Sequence, residues 1–239
     1  MMRKAGQITG EAILLAAEHI KPGVSTAQLD KIIHDYILRC SATPTFLGYG
    51  GYPASACISV NNEVIHGIPS RKRFLEEGDI VSIDTGATFG GFVGDSANTF
   101  PVGKISPEAE RLIKVTKASF YAALEQARPG NRLGDIGQAV QTTAESNGYS
   151  VVRQYTGHGV GSDMHEDPEV RNFGVAGHGL RLLTGMTIAI EPMVNAGGHD
   201  VRVLKDGWTV VTADGSLSAH YEHTVAITDG EPVLLTSAE

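Results

Sequence analysis

The stretch DIVSIDTGATFGGFVGDSANTF, residues 79–100, decides how this chain is read. A β-branched apolar run ends at Asp84, passes through the pair Gly90-Gly91, and returns to a second acid, Asp95. A strand period of two puts Ser82 on the face of Asp84 and turns Val81 and Ile83 the other way. A hairpin through the glycine pair brings Asp95 back beside Asp84. Carboxylates are seldom buried alone, so two of them on apolar strands call for a neutralising group.

Working outward, the same phrase recurs: GDIVSID ends at Asp84 and GMTIAIE ends at Glu191, 107 positions later. Gly23 in KPG and Gly130 in RPG are separated by the same 107. Each of these glycines closes a helical stretch. The first helix is expected to bury Ala5, Ile8, Ala12, Leu14 and Leu15; the second, capped by Ser25 and Gln28, carries Leu29, Ile32, Ile33, Tyr36 and Ile37. A third, from about Pro107, shows Leu112, Val115, Ala118, Tyr121 and Ala122 on one side, and a fourth shows Leu133, Ile136, Val140 and Ala144. Two landmarks can align by chance, but here the aligned residues are both acids ending apolar strands. That favours two α/β halves about a pseudo-twofold axis, with Asp84 and Glu191 approaching it from opposite sides. Ala189 shares the face of Glu191, so each acid has small neighbours and room beside it.

The 239 residues are 41% hydrophobic and 19% charged, as in ordinary globular chains. The balance of 19 basic against 27 acidic side chains gives −8 and argues against a general nucleic-acid or membrane-surface binder. The longest apolar run near the N-terminus, AILLAA, is too short for a membrane span and sits in an amphipathic pattern unlike a signal peptide, so a cytoplasmic location is expected. Cys40 and Cys57 are read as free thiols.

Two further stretches look chemical. YTGHGVGSDMHEDP, residues 155–168, spaces His158 and His165 seven apart among glycines, and SAHYEHTVAIT, residues 218–228, sets Glu222 at the start of a β-branched strand. Alone, a strand glutamate is usually solvated and a lone histidine usually structural. Together, Asp84, Asp95, Glu191 and Glu222 would crowd four negative charges into one centre, which divalent cations would balance. Four carboxylates and an imidazole suit two first-row ions such as Mn, Fe, Co or Zn, with Mg disfavoured by the imidazole. Such a pair supplies a nucleophilic bridging water and a polarised carbonyl, the chemistry of amide or ester hydrolysis.

In order and spacing, HGIP (66–69), the 79–100 stretch, the 155–168 stretch, IAIEPM (188–193) and LKDGWTVVTADGSLSAHYEHTVAIT (204–228) resemble the type I methionine aminopeptidases of bacterial type. The resemblance covers nearly the whole chain. It implies an α+β pita-bread fold, a single catalytic domain over 1–239 with an internal repeat at about 4–105 and about 106–230. It implies Asp84, Asp95, His158, Glu191 and Glu222 as metal ligands, Asp95 and Glu222 bridging, and Glu191 also as the general acid/base. His66 and His165 would contact the scissile amide and its carbonyl oxygen. Phe46, Tyr49, Tyr52, Cys57, Met164 and Trp208 would line the methionine pocket, although some relatives carry Cys where Phe46 stands and Phe where Met164 stands. Asn61 and Ser218 match positions that hold a monovalent cation, Na or K, through backbone carbonyls. The implied activity is removal of initiator methionine from nascent chains with a small second residue, by attack of the metal-bridging water on the first peptide bond. A monomer, transient ribosome contact, no nucleic-acid sequence specificity and no membrane contact are expected with it. The rivals are an X-Pro peptidase, which would normally carry an additional N-terminal domain, and a binding module on the same shell, which would have lost several ligands.

Overall fold

The computed structural model describes residues 1–238. The first half opens with helices α1 (Met2–Ala17) and α2 (Thr26–Arg39) and continues through strands β1 (Thr43–Pro44), β2 (Ala56–Val60), β3 (Glu63–Ile65), β4 (Ile80–Phe89) and β5 (Phe92–Pro101). The second repeats the order: α3 (Pro107–Leu124), α4 (Leu133–Ser146), then β6 (Ser150–Val151), β7 (Gly157–Gly159), β8 (Glu166–Val170) and β9 (Thr187–Ile190). It closes with β10 (Met193–Asn195), β11 (Val201–Val203), β12 (Val210–Thr212), β13 (Ser218–His220), β14 (Glu222–Ala226) and β15 (Val233–Leu234).

The main sheet runs β1-β4-β5-β14-β9-β7-β8, with β2 also on β4 and β15 also on β14. Its seam is the antiparallel pairing of β5 with β14, where Glu222 faces Ala97 and His223 faces Ser96. About that seam the two halves are pseudo-symmetric, as in the pita-bread fold. The 107-residue offset reappears in the hydrogen bonds: Gly23 N–H donates to Leu75 O at 2.8 Å, and Gly130 N–H to Leu182 O at 3.1 Å. Thr26 N–H donates to Arg73 O at 2.9 Å, and Leu133 N–H to Leu180 O at 3.0 Å. Even the helix starts correspond, with Gln28 Oε1 accepting from Ser25 N–H at 2.8 Å and Asp135 Oδ2 from Arg132 N–H at 2.7 Å. Gly23 and Gly130 both sit at positive φ, +88° and +94°, the left-handed region open to a residue without Cβ.

Each half has its own core. Ile8, Ala12, Leu29, Ile33 and Ile37 pack on Ile58, Val81 and Ile83 in the first, and Leu112, Phe120, Ile136 and Val140 on Ile188, Ile190 and Val225 in the second. Two helix faces differ from the sequence expectation. Helix α1 buries Ile13 and Ala16, while Leu14 is 48% exposed and Leu15 is half-buried. Helix α3 buries Thr116, Ser119, Phe120 and Ala123, leaving Ala118 and Tyr121 exposed and Ala122 half-buried. In both, small residues between larger ones let the helix sit rotated by roughly one residue from the stripe the larger side chains suggest. The helices also end before their glycines, α1 at Ala17 and α3 at Leu124. Phe120→Ala is expected to destabilise the protein by about 3–5 kcal/mol through the cavity it leaves. Leu14→Ala should stay within about 0.5 kcal/mol. Urea unfolding of the two variants checks the rotated faces; equal costs would contradict them.

Candidate metal centre

Strands β4 and β5 form one long hairpin, from Phe89 opposite Phe92 to Ile80 opposite Pro101. Gly90 and Gly91 close it at φ +58° and +81°, both positive as a tight primed turn requires. Asp84 lies in the middle of β4 rather than at the end of a strand, since β4 continues to Phe89. Gly86 faces Asp95 and Asp84 faces Ala97, so the two acids lie diagonally on one face. Glu222 begins β14 beside Asp95's strand, and Glu191 follows the last residue of β9. His158 sits in β7, next to β9, between Gly157 and Gly159, where a Cβ would collide with the Ala189 and Asp167 carbonyls respectively. Read across the sheet, five successive strands therefore deliver Asp84, Asp95, Glu222, Glu191 and His158.

One ligand atom each from Asp95, His158 and Glu222 lies within 4.8 Å of the others. His158 Nε2 is 3.7 Å from Asp95 Oδ2 and 3.5 Å from Glu191 Oε1. Its Nδ1–H donates to the Gly159 carbonyl at 2.9 Å, which leaves the Nε2 lone pair facing the acids. Asp84 Oδ1, Asp95 Oδ1 and Glu222 Oε1 are buried and have no hydrogen-bond partner. Burial and the charge of Asp95 hold Asp84 well above the usual carboxylate range. Burial, then Asp95 and Asp84, does the same to Glu191, and Glu222 is raised by burial and by Asp95, Glu191 and Asp84. Asp95 is pushed up to about 7, chiefly by burial. Crowded, desolvated oxygens without donors, facing an imidazole lone pair, are a donor set that divalent cations satisfy.

The thirteen residues read from the sequence as metal ligands, catalytic groups and methionine-pocket walls line one cavity. Its apolar side is made by Phe46, Tyr52, Cys57, Met164 and Trp208. Tyr52 donates its hydroxyl away from the cavity, to Gly67 O at 3.0 Å, and turns its ring edge-on to Trp208 at 5.1 Å. Tyr49 is 44% exposed and stands at the rim, its hydroxyl 2.7 Å from His165 Nδ1. His66, held at φ +59°, is brought down to about 4 by burial and by His165, and burial also lowers His165. Both imidazoles are therefore neutral donors at neutral pH.

Two features at or beside the site escape the sequence reading. Gly50 forms part of the wall against Trp208. His220 is buried with neither ring nitrogen hydrogen-bonded, its Nε2 3.9 Å from Glu191 Oε2. The only sequence signal for it is its place two residues before Glu222.

These shifts fix the pH response of the metal-free protein. Burial lowers His158 to about 4 and, with His66 nearby, His220 to about 3, so their contributions are complete above the ordinary value of 6.5. The acids are raised, so their contribution is lost as pH climbs through the folded value, near 7 for Asp95. Between about pH 6.5 and about pH 8 the melting temperature of chelator-stripped protein should therefore fall, and Mn(II) should flatten the slope. Melting curves across that window check it; a melting temperature that rises with pH would refute the assignment.

The sequence pattern of metallopeptidase family M24 matches residues 1–229. The methionine aminopeptidase of Clostridium acetobutylicum is 56% identical over 238 residues, covering 100% of this chain and 95% of the relative. Methionine aminopeptidase 1 of Bacillus subtilis is 51% identical over 229 residues, covering 96% and 92%. The crystal structure of methionine aminopeptidase from Rickettsia prowazekii superposes with a TM-score of 0.97 at 44% identity, covering 99% of this chain and 95% of that one. The strand order, the shared acidic face and these full-length similarities agree, and the chain belongs to metallopeptidase family M24, among the bacterial-type methionine aminopeptidases.

Proposed function

We propose that the protein is a metal-dependent aminopeptidase that removes N-terminal methionine from nascent polypeptides whose second residue is small. The observation that carries this reading is one cavity walled on one side by buried carboxylates, three of which leave an oxygen without a hydrogen-bond partner, and on the other by a soft apolar pocket. Asp84, Asp95, His158, Glu191 and Glu222 would hold two divalent ions. When bound, such ions provide a nucleophile from water at neutral pH and polarise a carbonyl.

The chain's own residues do the rest. Glu191, at the cavity wall, accepts a proton and returns it to the leaving amine. His66 and His165, both neutral, donate to the scissile amide and to its carbonyl oxygen as charge develops. Phe46, Tyr52, Cys57, Met164 and Trp208 receive an unbranched thioether, which favours polarisable and aromatic walls. Burial keeps the Cys57 thiol protonated and therefore apolar.

The identity of the divalent ions (Mn, Fe, Co or Zn) follows availability, because all share these ligands. A monovalent ion, Na or K, would sit at the carbonyls of Asn61 and Ser218, in segments that the Ser218 N–H to Asn61 O bond of 2.9 Å brings together. The chain acts as a single catalytic domain over 1–239, repeated at about 4–105 and about 106–230, which the shared offset supports. It works as a cytoplasmic monomer in transient contact with the ribosome. Among the described residues no helix is long and apolar enough to cross a membrane.

Chelator-stripped protein should release methionine from Met-Ala-Ser as Mn(II) or Co(II) is titrated back and leave Ala-Pro-Ser intact. Cleavage of the proline peptide alone would move the activity to the X-Pro class, and bound metal without cleavage of either would indicate a binding module. Glu191→Gln should lower turnover by at least about 100-fold. Asp200→Asn, at a residue 79% exposed and paired only with His199, should change it less than about twofold. Equal turnover in both variants would overturn the site assignment.

A further inference from the structure

Met164 and His165 lie on an irregular segment between β7 and β8, where Gly159 pairs with Glu166 and the chain reverses through residues 160–165. Ser162, Asp163, His165 and Glu166 are exposed, yet Met164 is 8% exposed and forms part of the pocket. An exposed segment without ladder bonds needs a specific tether to hold one apolar side chain inward.

The carboxylate of Glu166 supplies that tether. Its Oε1 accepts from Asp163 N–H at 3.0 Å and from Ser162 Oγ at 3.3 Å, bonding across the turn that carries Met164. It lies flat on Gly161, where an added Cβ would stand 2.5 Å from Oε1 and 2.6 Å from Oε2. The turn is fixed at its other end: Gly161 N–H donates to Asp163 O at 3.1 Å, and Gly161 O accepts from Val93 N–H of β5 at 2.9 Å. Val160 is tied to β9 through its N–H to Thr187 O at 3.1 Å. Thr187 Oγ1, donating to Val160 O, and the Tyr49 hydroxyl, 2.7 Å from His165 Nδ1, also reach the segment, but both come from elsewhere in the fold; the Glu166 carboxylate is the one that bonds across the turn to Ser162 and Asp163.

We propose that Glu166 is a positioning residue that, seated on Gly161, sets the methionine wall through Met164 and the alignment of His165. This rests on the pocket reading above. Breaking a hydrogen bond to a charged acceptor loosens the turn, which weakens discrimination at the first substrate residue more than it weakens the fold.

The test uses Glu166→Ala, Glu166→Gln and Gly161→Ala in metal-loaded protein. In Glu166→Ala the ratio of kcat/KM for Met-Ala-Ser over Leu-Ala-Ser should fall about tenfold. Gly161→Ala should do the same by displacing the carboxylate, while Glu166→Gln, whose amide oxygen still accepts from Asp163 N–H, should stay within about twofold of wild type. Amide hydrogen exchange over residues 160–166 should quicken in the two alanine variants and not in the glutamine variant. An unchanged ratio in Glu166→Ala, the same loss in Gln as in Ala, or unaltered exchange would each overturn the proposal. If wild-type protein fails to cleave Met-Ala-Ser, the aminopeptidase reading falls, while exchange still decides whether Glu166 holds the turn.

Discussion

The structure is organised around the repulsion of four carboxylates packed onto one sheet face. Asp84, Asp95, Glu222 and Glu191 come from four neighbouring strands, two on each side of the seam between β5 and β14. Among the described residues no lysine or arginine lines the cavity with them; its nitrogen-bearing side chains are His66, His158, His165 and Trp208, and burial depresses all three of those histidines. Burial is the first reason all four acids are pushed in the same direction, with the charge of neighbouring acids adding to it for Asp84, Glu191 and Glu222, so without cations the centre favours bound protons. The fold therefore carries a local conflict that metal binding resolves, and part of the affinity for metal is repulsion already present in the folded chain.

Pseudo-symmetry is what makes such crowding constructible. The paired hydrogen bonds at the 107-residue offset place α1–α2 and α3–α4 equivalently, so each half presents a central strand pair to the seam. Close approach at several points then depends on the absence of a side chain. Gly94 lets α1 lie directly on β5, where a Cβ would stand 2.5 Å from Gly6. Thr9 fills the same contact by donating to Gly94 O at 2.9 Å and accepting from Ala87 N–H at 3.1 Å. The helix thus braces the hairpin that carries Asp84 and Asp95 from behind, so a packing constraint on one face fixes ligand spacing on the other.

Legibility in the sequence followed the range of each interaction. The hairpin was readable because strand alternation and the glycine turn fix the relation of Asp84 to Asp95 within about twenty residues. Glu191 and Glu222 became readable through the repeat and the motif resemblance. The faces of α1 and α3 were not: in Ala-rich helices several stripes have similar apolarity, and tertiary packing chose Ile13 over Leu14 and Phe120 over Tyr121. His220 stayed hidden for another reason. It belongs to β13 in a separate three-stranded sheet, and the chain changes sheets at Tyr221 before Glu222, so no alternation carries from one residue to the other.

The two walls of the cavity follow opposite electrostatic logic, and the chain keeps them apart by choosing which polar atoms are satisfied. On the pocket side the Tyr52 hydroxyl is committed to backbone carbonyls, the Trp208 backbone is held by Asp206, and the Cys57 thiol is kept neutral. Nothing on that wall competes for a proton or a cation. On the acidic side Asp84 Oδ1, Asp95 Oδ1 and Glu222 Oε1 are left without donors, so that wall competes for protons and cations. A ligand entering between them meets a surface that recognises shape and polarisability on one side and charge on the other. His66 and His165, uncharged and standing where the walls meet, can donate hydrogen bonds without adding positive charge that would compete with metal ions for the same carboxylates. Their depressed basicity therefore suits a cavity whose carboxylates are open to divalent cations.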